Sequence, residues 1–227
     1  MPALMYKTFL TGHVLLGAFS LLLFWCSVLS RKGSPRHIYY GRLFTRCMYL
    51  VTGSAFLICM ANLVSPEFFE RDPAFQPMSF FLLALTVLTF AQAWMGEKTI
   101  VKKQNLQLLQ TPFTYLTCGL CIGTGAALAV LGIYQENILF IAFGLLTALT
   151  GLKDLRFVRK NVWAPQEWLE EHISSMLGAG IAAHTAFLVF GGRKWLNFDD
   201  GMLWLWIAPS IIGAIAISQM KKRYVKR

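Results

Sequence analysis

Seven apolar stretches of membrane-spanning length divide this chain, at approximately 9–29, 44–64, 77–95, 112–133, 137–152, 173–191 and 202–219. A helix needs about 20 mainly apolar residues to cross roughly 30 Å of hydrocarbon, so the pattern predicts an all-α, polytopic helical bundle. Of the 227 residues 56% are apolar and only 14% charged, with a mean hydropathy of +0.53, too little charge for a soluble domain of this length. The fifth stretch is the shortest. The longest polar interval, Lys153 to Glu171, has room at most for a helix on the membrane surface, so residues 1–227 are read as one domain. The first stretch is too long for a secretion signal, has no small-residue cleavage site and is followed, not preceded, by Arg31-Lys32, which predicts that it is retained.

Topology follows from the basic residues. The intervals 31–46, 97–104 and 153–171 and the tail 220–227 hold 17 of the 21 Lys and Arg, which by the positive-inside rule predicts an outward N-terminus and a cytoplasmic C-terminus. The net charge of +10 is accounted for by that bias, so nucleic-acid binding is not implied. Lys221, Lys222 and Arg223 beside the last helix, with Arg36 and Arg42 at the mouth of the second, are candidate contacts for anionic lipid heads.

Lipid provides little hydrophobic drive between helices, so close packing falls to small residues. Gly12 and Gly17, Gly119 to Ala127, and Gly178 to Ala186 make the first, fourth and sixth helices the expected centre. Every carboxylate lies outside the seven stretches, among them Glu67, Glu70, Asp72, Asp199 and Asp200 on the outer side and Glu167, Glu170 and Glu171 before the sixth. This pattern argues against an ion-coupled transporter with a mid-membrane acid. Tyr39, Tyr40, Trp163, Trp168, Trp195, Trp204 and Trp206 read as interface anchors, and Pro209 as a kink in the last helix.

The four histidines fall at two depths. His13 and His184 are expected in the outer half, on the first and sixth helices, and His37 and His172 at inner helix entrances. Neutral imidazole is a common axial ligand of haem, so His13 and His184 are candidate ligands of a metal or of haem b, with His37 and His172 as a second candidate pair. Residues 172 and 184 stand about 18 Å apart along a helix but roughly 120° apart around it, which suits one site better than two stacked ones. Histidines also hydrogen-bond between helices or bind lipid phosphate, and that alternative stands. A zinc site of His37, His172 and a nearby Glu is a further arrangement. Cys118-Gly-Leu-Cys121 has the spacing of a thiol redox pair. All five cysteines lie in apolar stretches, where they also pack as small hydrophobes and where structural disulfides are not expected.

The run Arg36-His-Ile-Tyr-Tyr-Gly-Arg places His37, Gly41 and Arg42 together. A histidine near the start of the first helix followed by a basic loop reaching His-x-x-x-Gly-Arg resembles a family of bacterial multispan inner-membrane proteins of unknown function. The similarity covers chiefly residues 9–60, with a looser echo from His172 to Phe187. It implies a bundle in a bacterial inner membrane, matches His13, His37, Gly41 and Arg42, and brings no reaction with it.

Two classes of function are left by the sequence. One is a membrane redox protein that binds haem b through intramembrane histidines and passes electrons to or from a quinone or protein partner. The other is a non-enzymatic subunit or a lipid or small-molecule binder whose histidines are structural.

Overall fold

The computed structural model describes residues 2–67, 72–192 and 203–225. It is built of seven long helices: α1 (Pro2–Leu29), α2 (Pro35–Val64), α3 (Gln76–Val101), α4 (Pro112–Tyr134), α5 (Ile138–Val158), α6 (Glu167–Ala186) and α7 (Leu203–Tyr224). Each is long and apolar enough to cross a membrane, so the chain is a multi-pass helical membrane protein. No β-strand occurs among the described residues.

Helix starts are set by local chemistry rather than by where the apolar run begins. Ser34 and Thr111 accept hydrogen bonds from the first-turn amides of α2 and α4, each with a proline in that turn, and Asn137 does the same for α5. With its cap at Ser34, α2 begins nine residues before its apolar stretch; α6 begins six residues before its own, and α5 runs on to Val158. The interval from Lys153 to Glu171 therefore forms no separate surface helix: it is the end of α5, a short connection and the start of α6. Between α1 and α2, Lys32 donates to the carbonyls of Ser27 and Val28, closing the C-terminal end of α1. Partial burial pushes this ammonium below the usual lysine range.

Consecutive helices run antiparallel. Ser27 meets His37 and Tyr6 meets Asn62 across α1 and α2. Met176 packs on Gly96 and Gly178 near Gln92 across α6 and α3. Trp206 and Phe190 approach at the start of α7, and Ile181 meets Gly213 at its middle. The connections 30–34, 102–111 and 159–166 and the end of α7 thus gather at one end of the bundle, referred to below as the basic end.

The centre is α3, which packs on α2, α4, α5 and α6. This corrects the expectation that α1, α4 and α6 are central. Gly12, Gly17, Gly119 and Gly123 have no atom within 4 Å of where a Cβ would lie, so the small residues of α1 and one stripe of α4 face outward. The other stripe of α4 is used: a Cβ on Gly125 would lie 2.4 Å from the Ala148 amide nitrogen, and one on Gly144 would lie 2.4 Å from that of Ala129. No side chain separates α4 from α5 at these points. Counting glycines misses α3 because its closeness comes from Ser79, Ala84, Thr89, Ala91, Ala93 and Gly96, all buried.

Glu70, Arg71, Arg193, Lys194, Trp195, Asp199, Asp200, Lys226 and Arg227 lie outside the described residues. Trp206, partly buried near the start of α7, packs its ring edge-on to Phe81 and Phe143.

Candidate functional site

The end of α5 and the start of α6 bring two carboxylates and one ammonium into the protein interior. Lys153 Nζ lies 2.9 Å from Glu171 Oε1 and 3.0 Å from Asp154 Oδ1. Gln92 of α3 donates its amide to Asp154 Oδ2 at 3.1 Å, and Ser175 donates its hydroxyl to Glu171 Oε1 at 2.7 Å. Asp154 is 1% exposed and Glu171 7%, while the Lys153 side chain is 45% exposed, so the stem runs along the outside and only its charged tip reaches in. Asp154 Oδ1, though ion-paired, accepts no hydrogen bond.

An apolar cap closes this cluster toward the basic end. One helical turn beyond Gln92, Asp154 and Glu171 come Met95, Val158 and Trp168, which pack with Leu106, Leu109, Phe157, Trp94 and Trp163. Gln110 ties the α3–α4 connection to the α5–α6 connection by donating to the carbonyls of Val158 and Lys160 at 3.0 and 3.1 Å. The Trp163 indole donates to the Phe157 carbonyl. The carboxylates therefore sit beneath a layer of packed rings and aliphatic side chains.

Asp154 and Glu171 lie outside the apolar stretches, as the sequence indicates, and are nevertheless buried: the stretches stop at 152 and restart at 173, but the helices and their buried faces do not. Both acids sit about one turn from a helix end, on the basic side of the bundle.

All four histidines share one local arrangement. The Nδ1 of His13, His37, His172 and His184 lies within hydrogen-bond distance of a backbone carbonyl, respectively Val51, Ser27, Gly96 and Gly180, at 2.7 to 3.1 Å. A carbonyl only accepts, so each Nδ1 carries a proton, which in a neutral imidazole leaves the lone pair at Nε2, the atom that binds a metal or accepts a proton. For His184 that lone pair is taken by the Trp25 indole, 2.9 Å away.

The structure does not bring His13 and His184 together. The partner of His184 on α1 is Trp25, twelve residues and so about 18 Å along the helix from His13. Gly180 sits directly on the Phe24 ring, fixing the crossing of α1 and α6 near the C-terminal end of α1. Depth counted from the ends of apolar stretches fails here because the helices outrun those stretches by unequal lengths. His37 and His172, by contrast, are within electrostatic reach of each other and of Lys32. Among the described residues no group of three or more His, Cys, Asp or Glu is close enough to hold a metal ion, so the zinc arrangement of His37, His172 and a Glu is not formed.

Cys118 and Cys121 are buried at the α4–α5 contact, where Gly151 packs against the Cys121 Cβ and the Cys118 carbonyl. Asp154 acts on both electrostatically; a cation, not a carboxylate, is what readies a thiol for exchange. Arg36, Arg42, Lys222 and Arg223 are exposed at the basic end and Lys221 is half-exposed there, as contacts with lipid heads require.

These features define a multi-pass α-helical membrane protein with a buried ionic cluster. No protein-family model, curated protein or solved structure matches the chain. Sequence reasoning missed the cluster, although a signal was present: Lys153-Asp154 at the end of one apolar run and Glu171-His172 at the start of the next mark two acids on adjoining helix ends.

Proposed function

We propose that the protein takes up and releases a proton at the Lys153–Asp154–Glu171 cluster, as the cation-handling centre of a membrane transporter or energy-coupling subunit. The observation that carries this reading is the near-complete burial of Asp154. An ionisable group enclosed in a membrane protein is costly and marks a functional site by default. Two carboxylates beside a single ammonium leave one negative charge uncompensated, and a proton on either carboxylate cancels it. Gln92 and Ser175 keep the two acids in place through both charge states, and the apolar cap limits access from the basic end. The test is proton movement in proteoliposomes carrying a lumenal pH indicator under an imposed membrane potential. Wild-type protein is expected to acidify or alkalinise the lumen, Asp154→Asn to abolish the signal and His13→Ala to leave it unchanged. A signal that survives Asp154→Asn overturns the reading.

A second reading, a redox protein that binds haem b and exchanges electrons with a quinone or partner, is supported by the lone pairs at Nε2 of His37 and His172. Haem supplies a one-electron couple when bound; in this chain the carbonyls of Ser27 and Gly96 hold the two imidazoles in the ligating tautomer. Its test is the visible spectrum before and after dithionite. A band that shifts on reduction and is lost in His172→Ala supports it, and a flat spectrum removes it.

Under either reading we place the chain in a bacterial inner membrane with its basic end toward the cytoplasm and anionic lipid heads. Support comes from the charge bias and from the resemblance carried by His13, His37, Gly41 and Arg42.

A further inference from the structure

We infer that the seat between Asp154 and Glu171 binds a small protonated amine, with the Lys153 side chain as its exchangeable occupant. This rests on the reading of the cluster as a cation site and names the chemical class of its cargo.

The seat is shaped for a nitrogen cation with N–H donors. An ammonium already occupies it, hydrogen-bonded to Glu171 Oε1 at 2.9 Å and ion-paired with Asp154 Oδ1 at 3.0 Å. It is held there by a side chain that is 45% exposed. Asp154 Oδ1 is fully enclosed and still lacks a hydrogen-bond donor, which an incoming amine supplies and a bare alkali ion does not. Gln92 turns its N–H side to Asp154, so the cluster lacks the all-oxygen shell that an alkali ion demands.

The cap above the seat points the same way. Lys98 Nζ lies 4.4 Å from the centre of the Trp94 ring and Lys103 Nζ 5.2 Å from that of Trp168, so both rings already receive ammonium groups. Trp168 is three residues before Glu171 on α6. These rings stand about one turn from the carboxylate seat on its basic side.

The experiment is equilibrium binding of radiolabelled methylammonium to the purified full-length protein in detergent, with proton uptake read by a soluble pH indicator on the same samples. Wild type is expected to bind saturably, and Lys153→Ala more tightly because the competing occupant is gone. If Lys153 leaves the seat one-tenth of the time, the gain is about tenfold. Asp154→Asn is expected to lose binding. Ser175→Ala, a milder change that keeps both carboxylates, is expected to weaken it; each variant's fold is checked by size exclusion. Excess tetramethylammonium, which has no N–H, and excess Na+ are expected not to compete. Equal competition by Na+ overturns the inference in favour of an unselective cation site. Absence of binding in both wild type and Lys153→Ala overturns it too. In that case Asp154-dependent proton uptake leaves the proton reading standing, and its absence removes both.

Discussion

Two polar regions of this bundle are built on opposite plans. At the α3–α5–α6 contact, formal charges are enclosed and answer one another: Asp154 and Glu171 share the Lys153 ammonium, Gln92 donates to the other Asp154 oxygen, and Ser175 shares Glu171 Oε1 with the ammonium. On the α1 side the histidines pair with uncharged groups, His13 with Val51 and Ser54, and His184 with Gly180 and Trp25. A single hydrogen bond contributes about 1 kcal/mol, whereas removing one member of a buried ionic set leaves an uncompensated charge and costs about 3–5 kcal/mol. The residues that stand out in the sequence, the histidines on α1 and α6, are thus the energetically lighter group. The heavier group lies where apolar stretches end.

The largest effect is expected at Lys153. Lys153→Ala encloses Asp154 and Glu171 without a counter-charge, and a loss of about 3–5 kcal/mol is expected, visible as a lower midpoint of thermal denaturation in detergent. Adding Asp154→Asn to it recovers part of that loss, because one of the two like charges goes too; a double variant no more stable than the single one breaks the comparison by showing that the cluster is not an electrostatic unit. Next in size is Gly144→Leu, which forces α5 away from the Ala129 backbone and is expected to cost about 1–3 kcal/mol or more by overpacking. The same change at Gly119, which faces nothing within 4 Å, is expected to be silent in the same assay.

The number of helices, their order and their approximate spans were legible in the sequence because each rests on one property, about twenty apolar residues in a row. Their lengths were not, because Ser34 and Gln166 start α2 and α6 in polar sequence. This excess length carries Asp154 and Glu171 into buried positions. The central helix was obscured for a related reason: closeness in α3 comes from alanine, serine and threonine, which leave hydropathy almost unmarked, whereas the glycines of α1 are conspicuous and unused. The histidines stand out in the sequence as candidate ligands, with interhelical hydrogen bonding as the alternative, but which of them share a neighbourhood depends on where helices cross. The Gly180–Phe24 contact decides that for His184, and nothing in the spacing of α6 records it.

The smaller effects fall on the histidines, and they sharpen the comparison by separating a replaceable neutral bond from a committed one. His172→Ala removes the bond to the Gly96 carbonyl at the contact of α3 with α6, and about 1 kcal/mol is expected to go with it. Trp25→Phe is gentler. It keeps the ring that packs edge-on to Phe24 and removes only the indole N–H, so His184 loses a donor at a half-exposed position while its own bond to Gly180 persists. A change of at most about 0.5–1 kcal/mol is expected, and the freed Nε2 lone pair gives a second readout: carbethoxylation of His184 by diethyl pyrocarbonate, followed by mass spectrometry, should become faster in Trp25→Phe and remain slow in wild type. Equal rates would mean that the indole does not occupy that nitrogen, and would return His184 to the group of available ligands with His37 and His172.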